Sequence, residues 1–505
     1  MSLLPNNEYD NQLQQLVGPG DWQSPEPQRL YDLVVIGGGT AGLVAAAIAV
    51  GLGAKVALAE SNLMGGDCLN YGCVPSKALL AVSHRLRYLR DADEYGMPVT
   101  NGDVDFGKVM QRLRKIRADI AHHDGAQRFT DLGVDVFIGH GKFLDKETVH
   151  VEMDGGAMRA LQFKRCLIAT GAHPTMLPIE GINDVAPMSN HDIFNLEELP
   201  KRLAVIGAGP IGVEMAQSFS RFGSEVSVIA LDDQVLPRED AEAAQVVTEA
   251  LQQDGVKMYL GAQISKFVAT DSAKEIHFEL NGQSHVVEAD AILLATGRSP
   301  NVDDVDLAKA GVAFDKLGVK VNDKLRTSNP RIYAAGDVIG GVQFTHAADA
   351  MARIVVRNAF FFGNGKLSDL VIPWATYCDP ELAQVGLQLA DADKALCELD
   401  SLRFDFKDID RNLLEGETSG FAKVVFEKKS GIVRGATVVG NHAGELIGEM
   451  TLAIEKKMKL SEFSSVIHAY PTTASIFSRL GDKASGARLT PFVAKLLKKI
   501  IAWRR

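Results

Sequence analysis

Two closely spaced cysteines are the residues best suited to chemistry in this chain. Cys68 and Cys73 are separated by four residues within GGDCLNYGCVPSK, residues 65–77. This spacing allows a small loop closed by a disulfide, and the glycines around it let the backbone pass close to a flat cofactor. A metal site would need a further Cys or His pair nearby, and His84 alone supports it poorly. The segment therefore favours a redox-active pair over a metal site or inert thiols.

Composition limits the setting in which such a pair could work. Five cysteines in 505 residues do not form a disulfide framework in a reducing compartment, where catalytic roles are more common. The formal net charge of −11 argues against a nucleic-acid partner. Residues 1–29 lack the pattern of a secretory signal, and no apolar run approaches the roughly 18 residues of a membrane span. We expect a cytoplasmic protein of about three domains.

A glycine-rich turn precedes the cysteine pair and could hold a dinucleotide. The hydrophobic strand 31–36 runs into Gly37, Gly39 and Gly42, and a helical stretch follows. In this order, glycines bring backbone amides and the helix N-terminus up to a pyrophosphate. Glu60 ends the next strand, 23 positions after Gly37, where a carboxylate can accept hydrogen bonds from ribose hydroxyls. This unit suits the adenosine ribose of FAD.

The same order of strand, glycine turn and helix recurs in the middle of the chain. Strand 203–206 is followed by the second set of glycines, Gly207, Gly209 and Gly212. The position equivalent to the ribose carboxylate holds Ala230, and residues 231–233 read Leu-Asp-Asp. Two carboxylates would repel the 2′-phosphate of NADPH and could reach ribose hydroxyls. The second cofactor is therefore NADH or NADPH, with a slight preference for NADH.

Further strands and a change of pattern divide the chain. Strands 166–169, 291–295 and 332–335 end in similar glycine-containing turns, and strands alternate with helices from about residue 371. We predict an α/β fold whose parts are an N-terminal extension (1–29), an FAD-binding domain (30–175 and 298–368), an NAD(P)-binding domain (176–297), a separate α+β domain (369–480) and a basic amphipathic tail (481–505).

Together these motifs resemble the pyridine nucleotide-disulfide oxidoreductase family, which includes dihydrolipoamide dehydrogenase, glutathione reductase and mercuric reductase. The cysteine segment is joined by further motifs of that family, namely ATG at Ala169, ATGRSPN at Ala295, AAGD at Ala334 and YCDPELAQVG at Tyr377. The resemblance covers residues 31 to about 480. It implies two Rossmann-like domains, for FAD and NAD(P), a C-terminal α+β dimerisation domain, and a homodimer.

The resemblance also implies roles for individual residues. Cys73 would lie against the flavin as a thiolate, and Cys68 would attack a substrate disulfide or bind a soft electrophile. Lys77 would lie near the flavin N5, paired with Glu214 from the second glycine-turn helix.

Other residues are expected along the cofactors. Asp337 would bind the ribityl chain of FAD, and Thr345 would begin a helix directed at the pyrimidine end of the flavin. The predicted cofactor-binding set is completed by Gly66, Gly141, Thr170, Gly171 and Gly297.

One motif departs from the family pattern. In the lipoamide and glutathione branches, the residue before a C-terminal proline is a histidine acid-base, and a glutamate five positions later orients it. Here those places hold Tyr470 and Ser475. A phenol with a pKa of about 10 is a poor proton shuttle at neutral pH. Mercuric reductases are similar in having a tyrosine there, but they carry a C-terminal cysteine pair that this chain lacks. His468 could supply the acid-base group or be a structural loop histidine.

The tail 488–505 extends past the usual end of the family. Its apolar and basic residues alternate at helical spacing, which is typical of a helix on an anionic membrane surface but also fits packing on the dimer or a frayed end.

Three functional hypotheses follow from these residues. The first is an NAD(P)H-dependent flavoenzyme that reduces a disulfide or a soft-electrophile substrate. The second is a flavin diaphorase or transhydrogenase, and the third is a membrane-associated redox sensor. The dithiol pair favours the first.

Overall fold

The computed structural model describes residues 5–98, 104–153, 155–394, 397–487 and 491–504. Within these ranges no helix combines the length and the hydropathy that crossing a membrane requires. The α-helices are α1 (Glu8–Val17), α2 (Thr40–Gly51), α3 (Gly66–Asn70), α4 (Cys73–Arg90), α5 (Phe106–Ala121), α6 (Ala126–Asp131), α7 (Pro210–Phe222), α8 (Ala241–Gln253), α9 (Thr345–Phe360), α10 (Asp410–Leu414), α11 (Ala443–Glu455), α12 (Ser475–Gly486) and α13 (Pro491–Trp503).

The β-strands are β1 (Leu33–Ile36), β2 (Val56–Glu60), β3 (Val134–Ile138), β4 (His140–Phe143), β5 (Thr148–Glu152), β6 (Met158–Gln162), β7 (Cys166–Ile168), β8 (Ala172–Pro174), β9 (Arg202–Ile206), β10 (Glu225–Ala230), β11 (Lys257–Leu260), β12 (Gln263–Ala269), β13 (Lys274–Leu280), β14 (Gln283–Ala289), β15 (Ala291–Leu294), β16 (Arg298–Pro300), β17 (Phe314–Asp315), β18 (Gly318–Val319), β19 (Ile332–Ala334), β20 (Pro373–Thr376), β21 (Glu381–Gly386), β22 (Leu399–Asp405), β23 (Phe421–Glu427) and β24 (Val433–Gly440).

The chain forms two compact units. The first comprises Met1–Gly207, Ser218–Ile229 and Ala262–Leu370, and the second comprises Ala208–Gln217, Ala230–Gly261 and Val371–Arg505.

A five-stranded sheet organises the first unit, with its strands in the order β19-β7-β1-β2-β3 and all pairs parallel. β1 and β2 are buried along their whole length, which explains why β1 is entirely hydrophobic and β2 is hydrophobic up to Glu60. Helix α2 makes the crossover between them. The carboxyl ends of the parallel strands lie at one edge, which is where open α/β sheets bind ligands.

A second parallel arrangement appears in the same unit. β9 pairs with β10 on one side and with β15 on the other, both in parallel. The antiparallel meanders β4–β6 and β12–β14 accompany the two parallel sheets.

The second unit contains an antiparallel sheet with the order β20-β21-β24-β23-β22. Helices α11 and α12 bury apolar side chains against it, and the core includes Val424, Val438, Met450, Phe477 and Leu480. This sheet with its covering helices is the α+β arrangement predicted for the C-terminal domain.

The polar N-terminal segment contains the capped helix α1. Asn7 caps α1 by accepting hydrogen bonds from the backbone amides of Tyr9 and Asp10. Asp10 is 1% exposed, and its carboxylate accepts a hydrogen bond from Arg117 Nη2 at 2.8 Å. Arg117 Nη1 also donates to the carbonyl of Asn70 at 3.0 Å. A buried ion pair therefore connects α1 to α5, and the same arginine connects α5 to the last residue of α3.

Candidate active site

The two cysteines lie at opposite ends of a tight loop. Cys68 is half-buried in α3, and Cys73 is exposed as the first residue of the long helix α4. A hydrogen bond with Cys73 raises the pKa of the Cys68 thiol, and burial raises it further. The positive end of the helix dipole favours negative charge at the first residue of a helix. The geometry therefore favours a protonated Cys68 beside a Cys73 that carries the charge of the pair.

A second helix begins beside this loop. Thr345 is the first residue of α9, and its Oγ1 lies 3.5 Å from Cys73 Sγ. The amide groups at the starts of α4 and α9 therefore both stand near the sulfur of Cys73, where they stabilise negative charge. Within the described residues, no group of three or more His, Cys, Asp or Glu side chains is arranged to hold a metal ion.

Glycines make room for a dinucleotide at the edge of the parallel sheet. Gly37 has φ +107°, and a Cβ there would overlap the carbonyl oxygen of Ala169. A Cβ on Gly42 would overlap the carbonyl oxygen of Gly37, and one on Gly66 would lie 2.7 Å from the Cα of Gly39. Only glycine fits these positions, and the turn leaves the backbone and the start of α2 open to a phosphate. The cradle suits the pyrophosphate of FAD.

Glu60 lies where the sequence predicts a ribose carboxylate. Its Oε2 accepts a hydrogen bond from the amide of Gly38 at 2.5 Å, and its Oε1 accepts one from the amide of Asn62 at 2.7 Å. Burial raises the pKa of Glu60, although these amides oppose the shift. The side chain is thus fixed at the end of β2, next to the glycine turn.

Three further predicted cofactor residues lie around the same sheet edge. A Cβ on Gly141 would come within 3.3 Å of Ile36 Cγ2. Thr170 Oγ1 donates to the carbonyl of Asn301 at 2.8 Å, and Gly171 has φ +69°. These residues shape the backbone beyond β1 and β7 and present no charged side chain there.

A charged cluster at this edge has members to which the sequence assigned no role. Arg298 forms an ion pair with Asp67 and lies 3.4 Å from Asp337. His191 Nε2 lies 3.4 Å from Asp67. Burial raises the pKa of Asp337, whereas the hydrogen bonds from His191 and Arg298 lower the pKa of Asp67 despite its burial. Asp67 lies in the GGDC motif and Arg298 in the ATGR motif, so these motifs could have indicated that both residues belong to the site.

The second glycine set keeps the predicted order. Gly207 follows β9 with φ +107°, and its Cβ would lie 2.5 Å from the carbonyl oxygen of Ala295. Gly209 precedes α7, and Gly212 lies in its first turn. Gly297 has φ +103°.

Lys77 and Glu214 lie on separate helices. Lys77 is half-buried on α4, one turn after Cys73. Glu214 is 3% exposed on α7, and its Oε1 accepts a hydrogen bond from the amide of Tyr377 at 2.9 Å. The pairing of Lys77 with Glu214 remains a prediction.

Comparison with known proteins identifies the family. The model of the pyridine nucleotide-disulphide oxidoreductase family matches residues 31–352, and the model of its dimerisation domain matches residues 372–480. This chain belongs to the pyridine nucleotide-disulphide oxidoreductase family. The predicted family, the α/β fold class and the enzyme class are confirmed. As a member of this family, the protein is an oxidoreductase that uses FAD and a pyridine nucleotide.

The relatives of this chain include members of two enzyme groups. The chain is 34% identical over 445 residues to a mercuric reductase of Bacillus cereus, which covers 88% of this chain and 70% of the relative. It is also 34% identical over 462 residues to a dihydrolipoyl dehydrogenase of Bacillus subtilis, which covers 90% of this chain and 97% of the relative. The Cu(II) complex of the HOCl-induced flavoprotein disulfide reductase RclA from Escherichia coli has a TM-score of 0.81 at 26% identity, over 90% of this chain and 99% of that one.

The oxidoreductase has an unusual set of groups near its C-terminal proline. Tyr470 is 80% exposed in the single chain, and its hydroxyl donates to Asp410 Oδ2 at 2.9 Å. That hydrogen bond raises the pKa of Tyr470. The side chain of His468 is largely buried, and its Nε2 lies 3.1 Å from Glu449 Oε1. A glutamate therefore does orient a histidine here, but it comes from α11 and not from position 475.

Proposed function

We propose that this oxidoreductase reduces a disulfide-containing substrate through Cys68 and Cys73, with electrons from a nicotinamide cofactor. The observation that carries the proposal is the hydrogen-bonded pair of Cys68 in α3 and Cys73 at the start of α4, beside the start of α9. Cys73, which carries the charge of the pair, is suited to resolve a mixed disulfide, whereas Cys68 needs a base to remove its proton before it attacks.

FAD fits the residues that surround the pair. The cradle of Gly37, Gly42 and Gly66 would take its pyrophosphate, Glu60 its adenosine ribose, and Asp337 its ribityl chain. When bound, FAD accepts the two electrons of the nicotinamide cofactor and delivers them to the cysteine pair.

The two cysteines then act in sequence. Cys68 gives its thiol proton to His468 as it attacks one sulfur of the substrate disulfide, so that a mixed disulfide forms and the first substrate thiolate leaves. Cys73 attacks the Sγ of Cys68, the mixed disulfide breaks, and the second substrate thiolate leaves. The pair ends as a disulfide and the substrate as two thiols, each of which takes up one proton.

His468 supplies the acid that this sequence needs. Its Nε2 lies 3.1 Å from Glu449 Oε1, so this carboxylate orients the ring. A group that can protonate a leaving thiolate favours a disulfide over a soft metal ion, which needs no proton. Tyr470, with its raised pKa, would contribute a hydrogen bond and no proton transfer at neutral pH.

We infer that the site is completed across a homodimer. The dimerisation domain supports this assembly, and Ile467 and Tyr470 are 96% and 80% exposed in the single chain. We also propose the functional division predicted above, with FAD in 30–175 and 298–368, nicotinamide dinucleotide in 176–297, and the interface in 369–480. Asp232 and Asp233, exposed just past β10, favour NADH over NADPH. Five cysteines are too few for a disulfide framework in a chain of 505 residues, which supports a cytoplasmic setting.

Replacement of single cysteines tests the proposal. Cys68→Ser and Cys73→Ser should each lose NADH-dependent reduction of a small disulfide, while both keep reduction of ferricyanide, which needs no thiol. Cys73→Ser should also lose the long-wavelength absorption that a thiolate beside FAD produces, and Cys68→Ser should keep it. Retention of disulfide reduction by either variant would instead mean a diaphorase with spectator cysteines.

A further inference from the structure

The C-terminal helix α13 presents a wide apolar face to solvent. Phe492 and Trp503, at its two ends, are 76% and 86% exposed. At 3.6 residues per turn, the large apolar residues fall within one half of the helix circumference. The exposed members between the two aromatic residues are Leu496, Leu497, Ile500 and Ile501.

The other half of α13 is basic. Lys495, Lys498 and Lys499 lie there and are exposed. Residues 488–505 contain six basic and no acidic side chains. Since the whole chain has a formal charge of −11, the remaining residues carry −17. Arg488 and Arg505, which the predicted tail includes, lie outside the described residues.

We propose that α13 docks the enzyme on an anionic lipid bilayer, with the helix axis parallel to the surface. A bilayer accommodates both halves of the helix, because acyl chains cover the apolar side chains while phosphates pair with the lysines. A protein groove over the apolar half would leave the lysines in water. The indole of Trp503 and the aliphatic stems of the lysines suit the headgroup boundary.

The charge distribution makes this docking specific to the tail. An acidic protein body is repelled by anionic lipid, so attraction must come from the segment that is basic. Each lysine near such a surface strengthens binding about fivefold. The acidic remainder of the protein would then face away from the membrane, while α13 binds the lipid surface.

Vesicle binding by the full-length holoenzyme tests the proposal. We expect the protein to co-sediment with phosphatidylcholine vesicles that contain phosphatidylserine, and not with phosphatidylcholine alone. Lys495→Glu combined with Lys498→Glu should weaken binding more than about 25-fold. Phe492→Ser combined with Trp503→Ser should weaken it at least about tenfold. Matched surface changes in the same unit, Lys429→Glu and Leu414→Ser, should have no effect.

Two readouts separate lipid docking from other partners of the helix. Brominated lipids should quench the fluorescence of wild-type protein and not that of Trp503→Phe. Disulfide reduction in solution should be unchanged in all α13 variants. The proposal is wrong if the protein binds vesicles equally well with and without phosphatidylserine, or if the Phe492→Ser/Trp503→Ser variant binds vesicles as well as the wild type. It is equally wrong if that variant instead dissociates the dimer in light scattering, because a second copy of the chain would then cover the apolar face.

Discussion

Loss of the Asp10 carboxylate should destabilise the protein, although this residue lies in a polar N-terminal segment. Asp10→Asn preserves the shape of the side chain but leaves Arg117, which is 0% exposed, without its ionic partner. Removing one member of a buried pair costs about 3–5 kcal/mol, because the other charge stays buried and uncompensated. Arg117 keeps its hydrogen bond to the carbonyl of Asn70, so we expect about 3 kcal/mol, the lower end of that range.

Urea unfolding and hydrogen exchange would measure this effect. Asp10→Asn should lower the unfolding midpoint and accelerate amide exchange in α1, α5 and α3, the three helices that Asp10, Arg117 and Asn70 connect. The matched control is Asp119→Asn, because Asp119 pairs with Lys115 on the exposed face of α5. An exposed pair contributes little to stability, so that variant should behave like the wild type.

A double-mutant cycle would refute or support the cause. Arg117→Met, alone and combined with Asp10→Asn, should show that the two changes are far from additive, since each removes the same interaction. Additive effects would contradict the buried pair as the source of the stability. So would a midpoint for Asp10→Asn that matches the midpoint of Asp119→Asn.

Three other substitutions probe the cofactor cradle, a buried carboxyl and the proton donor. Gly42→Ala should abolish FAD retention, seen as loss of the yellow absorption, because the new Cβ would overlap the carbonyl oxygen of Gly37. Burial raises the pKa of Glu239 to about 7 although Trp374 donates to its carboxylate. The folded state therefore keeps a proton that the unfolded state releases, so stability should fall by roughly 3 kcal/mol as pH rises from about 4.5 to 7, and Glu239→Gln should abolish that fall. His468→Gln should slow disulfide reduction about 100-fold or more and leave ferricyanide reduction intact.

The first two of these predictions have a matched control variant, and for His468→Gln the intact ferricyanide reduction serves as the control. Gly51→Ala on the same helix should keep FAD, since nothing lies within 4 Å of a Cβ there. Glu249→Gln, at an exposed position on α8, should leave the pH dependence unchanged. Normal FAD content in Gly42→Ala, an unaltered pH profile in Glu239→Gln, or full disulfide reduction by His468→Gln would each contradict the corresponding argument.

The elements that carry the motifs could be predicted from sequence because their signals are local. β1 and β2 are continuous buried hydrophobic runs, and the glycines that follow them lie where a side chain would collide with backbone. The start of α4 at Cys73 agrees with the glycine-flanked loop before it. In each case neighbouring residues are sufficient to determine the conformation.

The interactions that sequence reasoning missed join residues that are distant along the chain. Arg298 meets Asp67 across 231 positions, and Asp10 meets Arg117 across 107. The family pattern has an orienting glutamate where this chain has Ser475, and the partner that the structure gives His468 is Glu449 on α11, 19 positions earlier. No local pattern specifies such pairs, because they depend on how whole elements pack.

The N-terminal helix has a practical consequence for where this enzyme can be shortened. The family match begins at residue 31, yet Val17 accepts a hydrogen bond from the amide of Met64, and Leu13 and Val17 are fully buried. A chain trimmed to the family boundary would open a hydrophobic gap beneath the loop that leads to Cys68. It would also leave the buried guanidinium of Arg117 without the carboxylate of Asp10. A recombinant form of this protein should therefore include α1, although the family match begins only at residue 31.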